Sequence, residues 1–369
     1  MESDNSSAEI PISEPPYCVG GHLNIIPGYI RVIAAITCAL SILGAALIIL
    51  SYVFFKDLRN KAREVIVHIS AMDLLTVAAN LFGIIINFDS HLYHEDPLVL
   101  PPHYETYNTL CKGQATIAVF GNLSSVLWTI AIAVYFYICI MTDNKKTAKR
   151  SLYFFYLICY GLPLLIVVWF LPTGKLGYAP VGGSGWCSFV IDSNPTEKLD
   201  SSKKLDSRDI ITLFFGNSLW MYVSFIIIPF ICISLLVYLR LKTKKKEISN
   251  QDKLRMNMIE VKLLAVPIIF VFLRIWSELL GIITVYSNNK SCTLVTILLV
   301  LGGIGDSGQG FFNALIFCLL NAKVRSAYFK CIKKSYKACK TWKCEKIEMK
   351  SRLIVNPDEI DTDQASTQE

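Results

Sequence analysis

The chain has 369 residues, 53% of them hydrophobic and 18% charged, with a formal net charge of +7 and a mean hydropathy of +0.46. That is too apolar for an ordinary soluble domain, and the positive charge needs no nucleic acid to account for it, because it gathers between apolar runs. Membrane protein is the first reading. The opening MESDNSSAEIPISEPP is polar and acidic, with no basic n-region or apolar h-region, so no cleavable signal peptide is expected. Seven apolar runs follow, at Val32–Phe55, Val65–Phe88, Gly113–Thr142, Ser151–Thr173, Ile210–Leu239, Leu263–Ser287 and Cys292–Asn321. Each exceeds the ~20 residues a helix needs to cross a ~30 Å hydrocarbon core. The expected fold is all-α, a seven-transmembrane bundle over 29–321. A short outer tail (1–28) precedes it, and a basic juxtamembrane helix (322–344) and a disordered acidic tail (345–369) follow.

Basic residues are retained on the cytoplasmic side of short loops. The connections after spans one, three and five carry Lys56, Arg59, Lys61 and Arg63, then Lys145, Lys146, Lys149 and Arg150, then a run from Arg240 to Arg255. The loop between spans two and three instead has Asp89, Glu95, Asp96 and Glu105 against Lys112. The N-terminus is therefore expected outside and the C-terminus inside. Cys111, just before span three, and Cys187, in the second outer loop, then share an oxidising compartment and are expected to be bridged. Cys18 and Cys292 are also outside, and the sequence leaves their pairing open. Asn5 and Asn289 begin outer glycosylation sequons, whereas the match at Asn122 lies inside span three, out of reach of the transferase.

Polar residues in a span usually face the bundle interior. In span seven Gly302, Asp306, Gln309 and Asn313 recur at steps of four, three and four, which makes one helical stripe. Asp73, Asn80 and Asn87 do the same in span two, and Asn122, Ser125 and Thr129 in span three. By rise per residue Asp73 and Gln309 come level near the midplane, so a shared hydrogen-bonded cluster is expected, either a switch between two packings or static glue. Arg274 and Glu278 in span six are four apart and are expected to neutralise each other on one face, or to open toward a ligand. Trp276 between them completes the candidate set. Pro163, Pro229 and Pro267 each interrupt a span and favour kinks.

The stretches KDLRNKAREVIVHISAMDLLTVAANLFGIIINF, GNLSSVLWTIAIAVYFYICI, VPIIFVFLRIWS and GIGDSGQGFFNALIF, with the GWC at Gly185 to Cys187, together resemble G-protein-coupled receptors. The resemblance is to the orphan receptors related to the cyclic-AMP-receptor-like and secretin-like groups, and it runs from Asp57 to Phe329. It implies a plasma-membrane receptor that transduces an unidentified extracellular ligand to a heterotrimeric G protein, with no cofactor and no enzyme activity. Rhodopsin-like switch motifs are not matched: span three ends in ICIMTDNKK, and span seven reads NALIF. The outer tail is also too short for a hormone-binding domain, which places the ligand within the bundle or its loops.

After span seven, Val324, Tyr328, Ile332 and Tyr336 recur every four residues among seven basic ones, the pattern of an interfacial amphipathic helix. Cys331, Cys339 and Cys344 beside it are palmitoylation candidates. Other classes fit less well. Span seven has no lysine for a retinal, and His68 is the histidine that falls within a span, too little for a zinc site. A transporter is the alternative, because Asp73, Asp306, Arg274 and Glu278 could line an ion path, but no internal repeat supports it.

Overall fold

A computed structural model describes residues 18–19, 22–23, 28–56, 59–88, 103–141, 145–177, 186–189, 214–244, 265–286 and 291–319, with position 211 and parts of 324–333. Seven helices among them are long and apolar enough to cross a membrane. They are α1 (Gly28–Phe54), α2 (Lys61–Ile86), α3 (Tyr104–Met141), α4 (Lys145–Phe170), α5 (Leu219–Lys244), α6 (Ala265–Tyr286) and α7 (Cys292–Leu319). Two short antiparallel hairpins accompany them, β1 (Cys18–Val19) with β2 (His22–Leu23), and β3 (Leu176–Gly177) with β4 (Ser188–Phe189). The chain is a multi-pass, all-α membrane protein.

Several helices reach beyond their apolar runs, because capping and polar first turns extend a helix past the hydrocarbon. Asn60 caps α2 by accepting from the Arg63 amide at 2.8 Å, with Glu64 in the first turn where the helix dipole favours a carboxylate. Lys61 and Arg63, expected in a loop, are therefore helical. At the other end Asn87 adopts a left-handed conformation (φ 55°) and its N–H returns to Gly83 O at 3.1 Å. Asn87 thus leaves the stripe of Asp73 and Asn80, and its Oδ1 accepts instead from Arg31 of α1. Helix α3 has 38 residues, roughly 57 Å, and starts nine residues before Gly113, so Cys111 lies inside the helix rather than ahead of it. Pro163 and Pro229 are internal to α4 and α5. Pro267 lies in the first turn of α6 as described.

Helix α1 packs on α7 and α2, α2 on α3, α3 on α4 and α5, and α6 on α7. Helices α3 and α7 are the most buried and α4 the least. Leu157, Leu165 and Trp169 of α4 stand exposed as a lipid-facing side would require. Small residues replace bulk where helices touch: a Cβ on Gly310 would lie 2.8 Å from Ser41 O, and one on Gly121 2.5 Å from Thr76 Oγ1.

Cys111 and Cys187 are disulfide-bonded with Cα atoms 5.6 Å apart. The bridge ties the β3–β4 hairpin to α3, and Gln114 Oε1 accepts from the Cys187 amide at 2.7 Å. Trp186 packs onto Gly83 of α2, and Phe189 meets Phe170 edge-on at 5.7 Å. Around the bridge, Phe88, Val119, Leu123, Val167 and Leu176 form a buried apolar cluster. Cys292 is also disulfide-bonded, while the Cys18 side chain lies outside the described residues. Closing a loop of 76 residues would stabilise a soluble chain by about 4 kcal/mol; spans that stay inserted when tertiary structure is lost reduce this to about 2 kcal/mol. Cys187→Ser should accordingly lower the thermal unfolding midpoint of the purified protein by several degrees. Cys111→Ser added to it should cost nothing further.

Residues 321–369 form a separate unit, helical at 324–326, 328–330 and 333. Cys331, Cys339, Cys344, Asn5 and Asn289 lie outside the described residues.

Candidate functional site

The polar residues of α2, α3, α6 and α7 meet in one hydrogen-bonded seam. Arg274 donates from Nη1 to Asp306 Oδ1 at 3.1 Å and from Nη2 to Gln309 Oε1 at 3.2 Å. Gln309 Nε2 donates to Ser125 Oγ at 3.1 Å, Ser125 donates to Asp73 Oδ1 at 2.6 Å, and Asn313 Nδ2 reaches Asp73 Oδ2 at 3.3 Å. Ser277 adds a bond to Asp306 Oδ2 at 2.7 Å. A guanidinium can only donate and a carboxylate only accept, so the two ends dictate the direction of the bonds between them. Gln309 must turn its oxygen to Arg274 and its amide nitrogen to Ser125. Such one-way chains polarise each bond in turn.

Asp73, Gln309, Asn313 and Arg274 are all less than 5% exposed, which raises the cost of any unmade bond. The level meeting of Asp73 and Gln309 is there, bridged by Ser125 of α3. Asn80 is buried off this chain, and its Oδ1 has no partner among the described residues. The pairing of Arg274 with Glu278 is not what the structure contains: Arg274 forms its ion pair with Asp306 on the neighbouring helix. Two things favour that choice. An arginine four residues ahead of a glutamate is the weaker helical order, and Gly302 and Gly305 bring α7 directly onto the α6 backbone at Ser277 and Leu273. Trp276 lies apart from this seam. It packs with Ile30 of α1, Leu280 of α6 and Val295 of α7, since a step of two residues turns it away from Arg274.

Glu278 belongs to a second branch that the sequence did not disclose. Just before α5, Phe214–Ser218 winds as a π-helix, a geometry found mostly as local bulges at functional sites. It presents Asn217 between two other helices. Asn217 Nδ2 donates to Glu278 Oε1 at 3.4 Å, and Asn217 Oδ1 accepts from Asn122 Nδ2 of α3 at 3.3 Å. Gly216, next to Asn217, carries no side chain where Phe189 of the hairpin presses in; a Cβ there would lie 2.7 Å from its ring. The disulfide-held hairpin thus rests on the turn that aims Asn217.

A third cluster lies at the opposite end. His68 of α2 stacks on Trp128 of α3 with centroids 4.8 Å apart, and its two ring nitrogens lie 2.8 Å from the hydroxyls of Tyr156 and Tyr160 of α4. Tyr156 spends its proton on Glu64 Oε1 at 2.9 Å, so the Nε2 of His68 must be the donor on that side. Tyrosines four apart facing a lone span histidine were the available signal, and it needed the α2–α4 pairing to be read. Among the described residues no group of three or more histidine, cysteine or acidic side chains could hold a metal.

Comparison with known proteins agrees with this architecture. The family "7 transmembrane receptor (Secretin family)" matches residues 28–182. G-protein coupled receptor 157 of Homo sapiens is 29% identical over 309 residues, covering 81% of this chain and 83% of that protein. These likenesses support a G-protein-coupled receptor. The Mus musculus counterpart is 27% identical with nearly the same coverage, and Cyclic AMP receptor 2 of Dictyostelium discoideum is 29% identical over 42% of the chain and 37% of its own length. The crystal structure of squid rhodopsin shares the receptor's fold, with a TM-score of 0.58 over 88% of this chain and 93% of that one at 14% identity. These relatives are receptors, and none of the likenesses names a ligand for this one.

Proposed function

We propose that this receptor binds an extracellular ligand at the hairpin end of its bundle and activates a heterotrimeric G protein at the other end. It would do so from the plasma membrane, with its N-terminus outside. The observation that carries the reading is the continuous seam Arg274–Gln309–Ser125–Asp73, which links α6 and α7 to α3 and α2 through buried polar bonds. Packed seams of this kind are bistable rather than continuously deformable, so a shift of α6 at the ligand end alters packing across the bundle. Asp73, Asn80, Asn122, Ser125, Arg274, Glu278, Asp306, Gln309 and Asn313 are its ligand-binding or switch residues in this reading. Orientation is supported by the basic connections after spans one, three and five. In the same topology Asn5 and Asn289 would be glycosylated, and Cys331, Cys339 and Cys344 would anchor the basic segment 322–344 to the inner leaflet.

The test is expression of the full chain in cells depleted of endogenous Gα subunits and supplied with one Gα class at a time. The expected result is reporter activation that rises with surface expression for at least one class. Silence from every class, together with solute uptake that depends on Asp73 and Asp306, would overturn the receptor reading in favour of a transporter.

A further inference from the structure

The carboxylate of Glu278 is buried, at 9% exposure, and its hydrogen bonds come from neutral groups. Asn217 donates at 3.4 Å, and Ser218 and Tyr222 also bond it. The guanidinium four residues earlier makes its hydrogen bonds elsewhere, Nη1 to Asp306 and Nη2 to Gln309. Three buried or half-buried carboxylates, Asp73, Asp306 and Glu278, therefore face one guanidinium within these two branches.

The branch has a second unmet need. A carboxylate accepts only, so Asn217 must turn its NH2 toward Glu278 and its Oδ1 toward Asn122. Asn122 must then spend its own NH2 on Asn217. Its Oδ1 is left buried, with no partner among the described residues. One amide thus separates an ionisable acceptor whose bonded partners are all neutral from a neutral acceptor that has no donor among the described residues. An anion would add acceptors to acceptors. A quaternary ammonium would bring charge without N–H groups. A primary ammonium brings one positive charge and three donors.

We infer that Glu278 and the Oδ1 of Asn122, bridged by Asn217, form the head-group site for a ligand carrying a protonated primary amine. The inference rests on the receptor reading for its consequence but not for its chemistry. The site has a builder and a cover. The π-helix at Phe214–Ser218 places Asn217 between α3 and α6, and Phe189 of the disulfide-held hairpin packs against that turn at Gly216. Glu278 lies eight residues before the end of α6 at Tyr286, about 12 Å along the axis. An ammonium on Glu278 would also repel Arg274 and hold it on Asp306, which couples this site to the seam.

The experiment uses the purified full chain in lipid nanodiscs and follows thermal unfolding with methylammonium, n-butylammonium and 2-phenylethylammonium as probes. Tetramethylammonium, phenylacetate and 2-phenylethanol serve as counter-probes. Primary ammonium ions should raise the midpoint saturably and the counter-probes should not; Glu278→Gln should weaken the apparent affinity at least tenfold. The proposal is overturned if no primary ammonium shifts the midpoint, if phenylacetate shifts it as much, or if Glu278→Gln responds like the wild type. Should Glu278→Gln fail to fold, Ser218→Cys in the wild-type background gives a second reading. Its thiol should react at least fivefold faster with 2-aminoethyl methanethiosulfonate than with the 2-sulfonatoethyl reagent, after correction for their rates with mercaptoethanol. Equal rates, or no reaction with either, overturn the site. None of these measurements uses a G protein. Ammonium binding without G-protein activation would keep the site and remove the receptor reading, and activation without ammonium binding would do the reverse.

Discussion

Asp306→Ala should change G-protein activation several-fold while leaving at least half of the receptor at the cell surface, and Arg274→Met, which unties α6 from the same seam, should change activation in the same direction. Arg274 is 4% exposed and unable to lose its charge. Its ion pair with Asp306 holds α6 to α7 at 3.1 Å. Removing one partner of a buried pair costs about 3–5 kcal/mol when the remaining charge has nowhere to go. Here the cost is smaller for two reasons. Asp306 keeps 28% of its side chain exposed, so the pair is partly solvated. The stranded guanidinium also has a second carboxylate four residues along its own helix, Glu278, at the helical spacing that permits contact.

Re-pairing with Glu278 would keep the charge neutralised but release α6 from α7 and withdraw Arg274 Nη2 from Gln309. The same arginine therefore has two partners, one across helices and one within its own, and the choice decides whether α6 is tied to the seam. That is the bistable element a receptor needs. Surface expression measured by antibody binding and activation measured by a Gα reporter separate the outcomes. Parallel loss of both in either variant would reduce the seam to structural glue.

The sequence made the polar edges legible because helical spacing alone decides which residues share a stripe. Rise per residue brought Asp73 and Gln309 level, and spacing put Ser125 and Asn313 on inward stripes. Pairing between stripes was not legible, because it depends on how closely two backbones approach. The i,i+4 spacing of Arg274 and Glu278 made an intrahelical pair the natural reading; glycines in α7 made the interhelical one shorter. Asn217 was invisible for a different reason. It sits in a π-turn, where one extra residue per turn rotates side chains off the 3.6-residue period that the stripe argument assumes. Asn87 escaped through a left-handed cap, and His68 because its tyrosine partners lie on a helix whose neighbours the sequence does not name.

The close approach of α6 and α7 underlies all of this, and it predicts the largest single loss of folded receptor. Gly305→Ala should abolish most surface expression, whereas Gly281→Ala on α6 should leave it unchanged or slightly raised. A Cβ on Gly305 would collide with the carbonyl oxygen of Leu273, and one on Gly302 would stand 2.9 Å from Ser277 Oγ. A side chain could turn aside; a carbonyl inside a helix cannot, because it is held by its own ladder. The helices must then separate, and overpacking of this sort typically costs about 1–3 kcal/mol. Separation also lengthens the Arg274–Asp306 and Ser277–Asp306 bonds, which adds the cost of a loosened buried ion pair to that of the clash. Gly281 has nothing within 4 Å of its Cβ position, so alanine there gains roughly the 0.8–1.0 kcal/mol of helix propensity that glycine gives up. The two substitutions add the same methyl group to the two partners of one interface, one into contact and one into open space. Equal surface expression of both would mean that α7 does not lie on the α6 backbone, and the ion pair between them would lose its basis.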